Sequence, residues 1–324
     1  MELKGIHHVS AITANAKDNY RFYSNVLGMR LVKKTVNQDD PPSMYHLFYA
    51  DEQGSPGTDL TFFEIARAGH TYTGNQSISQ TSLRVPDDEA LAYWLDRFRQ
   101  FKVNHEGMGE QFGRKVIRFR DHENQRLVLV SDQTNQGVAS GIPWTNSAVP
   151  QDKAITGLGP VQLTVPDISP PTARVLTELL GFRQVGSYPS RNKGMPDVEV
   201  FSTGEGGTGA ELHVELSSDL QKERPGRGSV HHVALRVDNR AELEKWHEKI
   251  RRERLPNSGL VDRYYFQSLY FREPNGILIE LATDGPGFAT DEETEHLGES
   301  LALPPFLEDR REEIESRLEP LDTK

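Results

Sequence analysis

Two histidine pairs, His7-His8 and His231-His232, stand out in a chain with 11 histidines and no cysteine. Without cysteine there is no disulfide framework, thiolate nucleophile, cysteine zinc site or iron–sulfur cluster, so any metal must be held by nitrogen and oxygen. Side chains of a strand alternate between its faces. Along 231–237, His231, Val233, Leu235 and Val237 form a mostly apolar set, while His232, Ala234 and Arg236 form the opposite, more polar one. The first strand-like run, Ile6 to Ile12, puts His8 and Ser10 on its less apolar side. A third run, Ile277 to Ala282, embeds Glu280 among apolar residues, with Leu278 and Ala282 on its face. Such a carboxylate is costly to bury unless something cationic pairs with it. His8, His232 and Glu280 converging in a cup would meet that demand by holding a divalent metal.

The elements that must position these residues repeat along the chain, and repeats are the first thing to seek. Val26-Leu27-Gly28-Met29-Arg30-Leu31-Val32 reads like Leu179-Leu180-Gly181-Phe182-Arg183-Gln184-Val185. Ser82-Leu83-Arg84-Val85 reads like Ala234-Leu235-Arg236-Val237, and Phe119-Arg120 like Phe271-Arg272, both at an offset of 152 (234 − 82 and 271 − 119). Residues 1–150 and 151–290 are therefore expected to be duplicated domains, with a linker over 138–153 and a separate tail over 291–324. Within the first half, a strand at Ile6 to Ile12 precedes a helix over Asn15 to Leu27, stopped by Gly28, and β-rich runs at Arg30–Val36, Tyr45–Ala50 and Asp59–Ile65. The same order recurs over 78–131, 158–217 and 230–283. The expectation is an α+β protein of four βαβββ modules forming open, barrel-like cups. In the tail, Phe306, Leu307, Ile314 and Leu318 suggest an amphipathic surface helix over Glu308 to Leu318, with a lid over a pocket as the second reading.

Comparison of the modules singles out the first and the last. Where those carry His8 and His232, the second has Gln80 and the third Pro160. Where the last carries Glu280, the first is aligned with Glu64, the third with Glu215 and the second with Val128. One site is thus expected, built from modules one and four.

This pattern resembles the vicinal oxygen chelate superfamily over residues 3–290, and four modules in one chain resemble its extradiol-type ring-cleaving dioxygenases. The resemblance is strongest to the para-hydroquinone-cleaving branch, whose iron ligands lie in modules one and four; Pro160 excludes the catechol-branch arrangement, which needs a third-module histidine. The resemblance implies metal ligands at His8, His232 and Glu280, catalytic residues at His7, His231, Arg263 and Tyr270, and a substrate-binding hydroxyl at Ser10, where the family usually has threonine. It implies Fe(II), with Mn(II) as the other candidate, and a small hydroquinone or catechol plus dioxygen as substrates, serving aromatic degradation or quinone detoxification. Two imidazoles and a carboxylate on one face of Fe(II) leave positions open for both substrates. Arg263 would hold oxyanion charge or the far hydroxyl, and a neighbouring acid–base group would move protons. By parity, His7 and His231 face away from the ligands.

Two other readings stay open. If Glu64 joined the ligand set, the site would resemble glyoxalase I, a metal-dependent lyase that needs no oxygen. A sequestering protein for aromatic or antibiotic ligands is the third, although intact ligands argue against it. His213 and Glu215 are expected to form a relic or polar pocket without metal, and His46, His70, His105, His122, His247 and His296 to be surface residues. The net charge of −11 disfavours nucleic acid and anionic membranes as partners. No run approaches the length of a membrane span and the start MELKGIHHVS has no leader pattern, so a cytoplasmic protein is expected. Exposed module edges would suit a homodimer.

Overall fold

The computed structural model describes residues 1–39, 44–167 and 171–323. Four strands form each module: β1 (Ile6–Thr13), β2 (Arg30–Val36), β3 (Tyr45–Ala50) and β4 (Asp59–Glu64) in the first. The second holds β5 (Ser77–Val85), β6 (His105–Gln111), β7 (Arg114–Arg120) and β8 (Arg126–Ser131). The third holds β9 (Gly157–Val165), β10 (Arg183–Tyr188), β11 (Val198–Ser202) and β12 (Glu211–Leu216), and the fourth β13 (Val230–Val237), β14 (Asn257–Asp262), β15 (Phe266–Arg272) and β16 (Leu278–Pro286). A helical segment follows the first strand of every module, so the expected βαβββ order recurs four times.

Local chemistry explains the helices. Asp87 and Asn239 each accept a hydrogen bond from the backbone N–H three residues on, capping the helices Asp88–Gln100 and Arg240–Arg252. Leu91, Trp94 and Phe98 in one, and Leu243, Trp246 and Ile250 in the other, recur at helical spacing and are buried. The first-module helix runs over Ala16–Tyr20, tightens into a π turn over Arg21–Val26, and stops at Gly28, whose φ of 71° suits a residue without a side chain.

The strands assemble into two eight-stranded sheets, ordered β14-β15-β16-β13-β1-β4-β3-β2 and β10-β11-β12-β9-β5-β8-β7-β6. Modules one and four thus share one sheet, and modules two and three the other. At each centre two first strands pair antiparallel, β1 with β13 and β5 with β9, and each has its own module's last strand parallel on its other side. The helices cover one face of this frame. Val233, Leu235 and Ile279 pack there with Leu243, Trp246 and Ile250, leaving the other face to the polar residues.

The tail runs along module one. Two short helices, Pro305–Glu308 and Arg311–Arg317, replace the single helix expected, because the chain breaks at Asp309-Arg310. Leu307, Ile314 and Leu318 join the main core while Phe306 is exposed. The Lys34 ammonium donates to the Leu321 carbonyl at 3.0 Å, and among the described residues none of the tail lines the cavity described below. No described helix is long and apolar enough to cross a membrane.

Candidate metal centre

β1 and β13 bring His8 and His232 side by side at the centre of the first sheet, and β16 adds Glu280 by pairing with Ala234. The two Nε2 atoms lie 3.2 Å apart. Glu280 Oε2 is 3.0 Å from that of His8 and 2.8 Å from that of His232. Among the described residues these three are the cluster whose ligand atoms could share one ion, all within 4.8 Å of one another. The contacts to Glu280 are too oblique for hydrogen bonds, so both carboxylate oxygens are buried without a hydrogen-bond partner. Burial pushes the Glu280 carboxyl up, and the charges of His8 and His232 outweigh it, holding the group well below its ordinary value. A fully buried carboxylate with orphaned oxygens, facing two imidazole nitrogens, fits a divalent cation.

The residues behind the imidazoles are where parity fails. Ile6 pairs with Leu235 but His8 with Ala234, so His7 is the extra residue of a β-bulge; Ser10 pairs with His232 but Ala11 with Val230, so His231 is the extra residue of a second. A bulge re-aims side chains that simple alternation would send to the opposite face. His7 Nδ1 accordingly lies 2.9 Å from His8 Nδ1, and His231 Nδ1 lies 2.7 Å from His232 Nδ1. The His7 Nε2–H donates to the Thr283 carbonyl at 3.1 Å. The hydrogen-bond network then assigns the proton positions: His7 Nδ1 accepts from His8 Nδ1–H, leaving His8 Nε2 bare toward His232 and Glu280. Burial, reinforced by the like charge of His8, pushes His7 down to about 3, so it stays neutral.

Above the cluster opens a cavity of about 470 Å³. Phe48, Phe63 and Phe266 supply its aromatic walls; Ser10, His46, His231, Arg263 and Tyr270 supply polar groups. His7 does not line it. Arg263 Nε donates to the Tyr270 hydroxyl at 3.3 Å, its NH1 donates to Asp39 at 3.1 Å, and the guanidinium lies 5.4 Å from the Tyr270 ring centre. The Tyr270 ring packs edge-on against His232, 5.6 Å between centres. Burial, then the Glu280 charge, pushes the Tyr270 hydroxyl up, so it remains a donor. Ser10 Oγ is 2.8 Å from Thr61 Oγ1, which is 3.0 Å from His46 Nε2.

His46 is the site residue that sequence reasoning placed on the surface. Its ring stacks on Phe63 at 4.1 Å between centres, and burial together with the nearby His8 charge pushes its pKa well down. Alternation along β3 carried the signal: Tyr45, Leu47 and Tyr49 belong to the core, which turns His46 and Phe48 to the cavity. The alignment of Glu64 with Glu280 is corrected by register. Ser10 faces Thr61 just as Ala234 faces Glu280, so Thr61 occupies the place equivalent to Glu280; by the same pairing, Gln162 with His213, His213 rather than Glu215 does so in module three. Glu64 instead accepts a hydrogen bond from Ala16 N at 2.7 Å, holding the start of the first helix.

The family model for the glyoxalase/bleomycin resistance protein/dioxygenase superfamily matches residues 5–129 and 157–281. With these matches and this fold, the chain belongs to that superfamily. It is 52% identical over 321 residues to MhqA of Bacillus subtilis (strain 168), which bears the provisional name of a ring-cleaving dioxygenase, across 99% of this chain and 100% of that one. It is 30% identical to the chlorohydroquinone/hydroquinone 1,2-dioxygenase of Sphingobium indicum, across 96% of this chain and 95% of that one. A crystal structure of a provisionally named dioxygenase from Bacillus subtilis superposes with a TM-score of 0.89 at 35% identity, covering 100% of this chain and 99% of that one.

Proposed function

We propose that this protein is a ring-cleaving dioxygenase that uses one Fe(II), held by His8, His232 and Glu280, to open a small hydroquinone. The observation that carries the reading is the buried triad at the floor of an aromatic cavity, with both Glu280 oxygens lacking a hydrogen bond. Similarity to the hydroquinone dioxygenase supports the substrate class. An Fe(II) on these three atoms would bind a ring oxygen and dioxygen at its open positions and relay electrons from the ring to triplet dioxygen.

The chain's own groups do the rest. Phe48, Phe63 and Phe266 offer apolar faces to a flat ring and exclude water from it. Arg263 remains a cation beside Tyr270, and this pair is suited to grip the substrate oxygen farther from the triad and to hold negative charge as it develops. His231, on the cavity wall and beside His232, is suited to take the proton that the substrate hydroxyl gives up on binding. Ser10, fixed by Thr61, presents a hydroxyl to the ring's oxygen substituents. His7 keeps the His8 ring in register rather than touching substrate. With Glu64 engaged at a helix end, no second carboxylate reaches the cluster among the described residues, and the glyoxalase-like reading loses the feature that suggested it.

Oxygen uptake by anaerobically Fe(II)-loaded protein tests the proposal. Uptake with methylhydroquinone that disappears in His232→Ala is expected. Uptake with catechol alone would reassign the substrate, and no uptake by fully loaded protein would overturn the dioxygenase reading.

A further inference from the structure

The second sheet has a cup of its own, at the place equivalent to the metal centre. The register of β5, β7 and β8 repeats that of β13, β15 and β16: Ser82 faces Val128 as Ala234 faces Glu280, and Arg118 faces Val128 as Tyr270 faces Glu280. Even the Arg236–Asp284 ion pair returns as Arg84–Asp132. Gln80 and Val128 stand where His232 and Glu280 would be, so this cup cannot hold the metal. It is nonetheless not closed. A cavity of about 130 Å³ remains, lined by Arg118, Arg120, Arg126 and Arg191 with Gln80 and His105. That is roughly four water volumes, the size of a carboxylate or phosphate group with a short stem.

The charges there are out of balance. Four guanidinium groups line the cavity against the single carboxylate of Glu106, which Arg191 already engages at 2.9 Å, in a chain whose net charge is −11. Arg118 uses one nitrogen on Gln111 at 2.8 Å, while its Nε is buried with no partner. Arg126, half-buried, has no hydrogen bond or ion pair among the described residues, although Gln80 and Gln162 nearby are both satisfied by neighbours. In the metal-bearing cup the corresponding positions are Tyr270 and Leu278, neither of them charged. Burial, then the like charge of Arg191, lowers Arg118; burial also lowers Arg126, the charges of Glu223 and Glu215 oppose it, and Arg120 adds to it. The buried Arg118 Nε without a partner and the half-buried Arg126 beside it leave guanidinium donors free to take an anion.

We propose that the duplicated cup is an anion site that takes a small carboxylate or phosphate through Arg118 and Arg126. The site is separate from the metal centre and does not depend on the activity proposed above.

Calorimetric titration and thermal unfolding with inorganic phosphate and with cis,cis-muconate, at ionic strength fixed by chloride, test this. At least one of the two should bind saturably and raise Tm. Phosphate alone would assign a phosphorylated ligand; muconate alone, an organic acid. Arg126→Leu, which installs the residue of the equivalent position, should weaken binding about tenfold or more. That variant should fold, because Arg126 makes no hydrogen bond or ion pair among the described residues and leucine already occupies the equivalent position, Leu278. Arg251→Leu, on an exposed helix face, should bind like wild type. Absence of saturable binding by either anion would overturn the proposal. So would unchanged binding in Arg126→Leu, or an equal loss in Arg251→Leu.

Discussion

Replacing His7 with phenylalanine keeps a ring of similar size against Phe266, 5.3 Å away between centres, and deletes both nitrogens. Two buried partners then lose their bonds, His8 Nδ1–H and the Thr283 carbonyl. Each orphaned group costs about 1–3 kcal/mol in stability. More telling is the effect on His8. Without an acceptor at Nδ1 its proton is free to move to Nε2, the atom that must face the ion. Loss of a hydrogen-bond partner behind a ligating histidine weakens metal binding about 10- to 100-fold, or about 1.4–2.8 kcal/mol at 1.4 kcal/mol per tenfold. Anaerobic titration of the metal-free protein with Fe(II) against a competing chelator reads this directly. His7→Phe should bind Fe(II) about 10- to 100-fold more weakly, and His7→Gln, with a donor and an acceptor, should recover part of the loss. Turnover at saturating iron should be less affected than affinity. Unchanged affinity with abolished turnover would refute the reasoning and return His7 to the substrate-contacting role that the family resemblance implies.

Other consequences are as direct. Tyr270→Phe should leave Fe(II) affinity unchanged and lower kcat by about 10- to 100-fold, since it removes a hydroxyl held by Arg263 and no ligand contact; steady-state oxygen uptake measures it. Glu223 is 9% exposed, and burial, opposed by Arg126, raises it to about 7. Its raised folded pKa means the native state binds the proton more tightly, so stability falls as pH rises from about 4.5 to about 7, by up to about 3 kcal/mol at 1.36 kcal/mol per unit. Glu223→Gln should remove that slope in chemical denaturation across the window. Trp94 donates its indole N–H to the Lys153 carbonyl at 2.8 Å, whereas that of Trp246 has no partner. Trp94→Phe should therefore cost about 1 kcal/mol or more beyond Trp246→Phe in urea unfolding.

Periodicity made most of the framework legible. The runs expected at Arg30–Val36 and Tyr45–Ala50 are strands at those bounds, because Val and Thr in the first and aromatic residues in the second favour the pleated surface of a sheet. The triad followed from parity plus the physical cost of burying Glu280. Parity then misled at His7 and His231, since a bulge is a property of two strands in register and neither strand alone encodes it. Register also decided between Glu64 and Thr61 as the counterpart of Glu280, three residues apart on β4, a distinction that short aligned motifs do not carry. His46 was missed for a different reason. Its strand alternates plainly, but a histidine beside aromatics is as compatible with an exposed edge as with a cavity wall until the opposing sheet is known. The pairing of module one with four, expected from the surviving ligands, is the arrangement of the sheets.

The most direct test of the account is iron stoichiometry by anaerobic equilibrium dialysis of wild type and of His8→Ala, His232→Ala and Glu280→Ala. One Fe(II) per chain in wild type, with tight binding lost in each of the three variants, is the predicted result. A full equivalent of iron retained in all three would contradict it and place the metal, and the chemistry, elsewhere in the molecule.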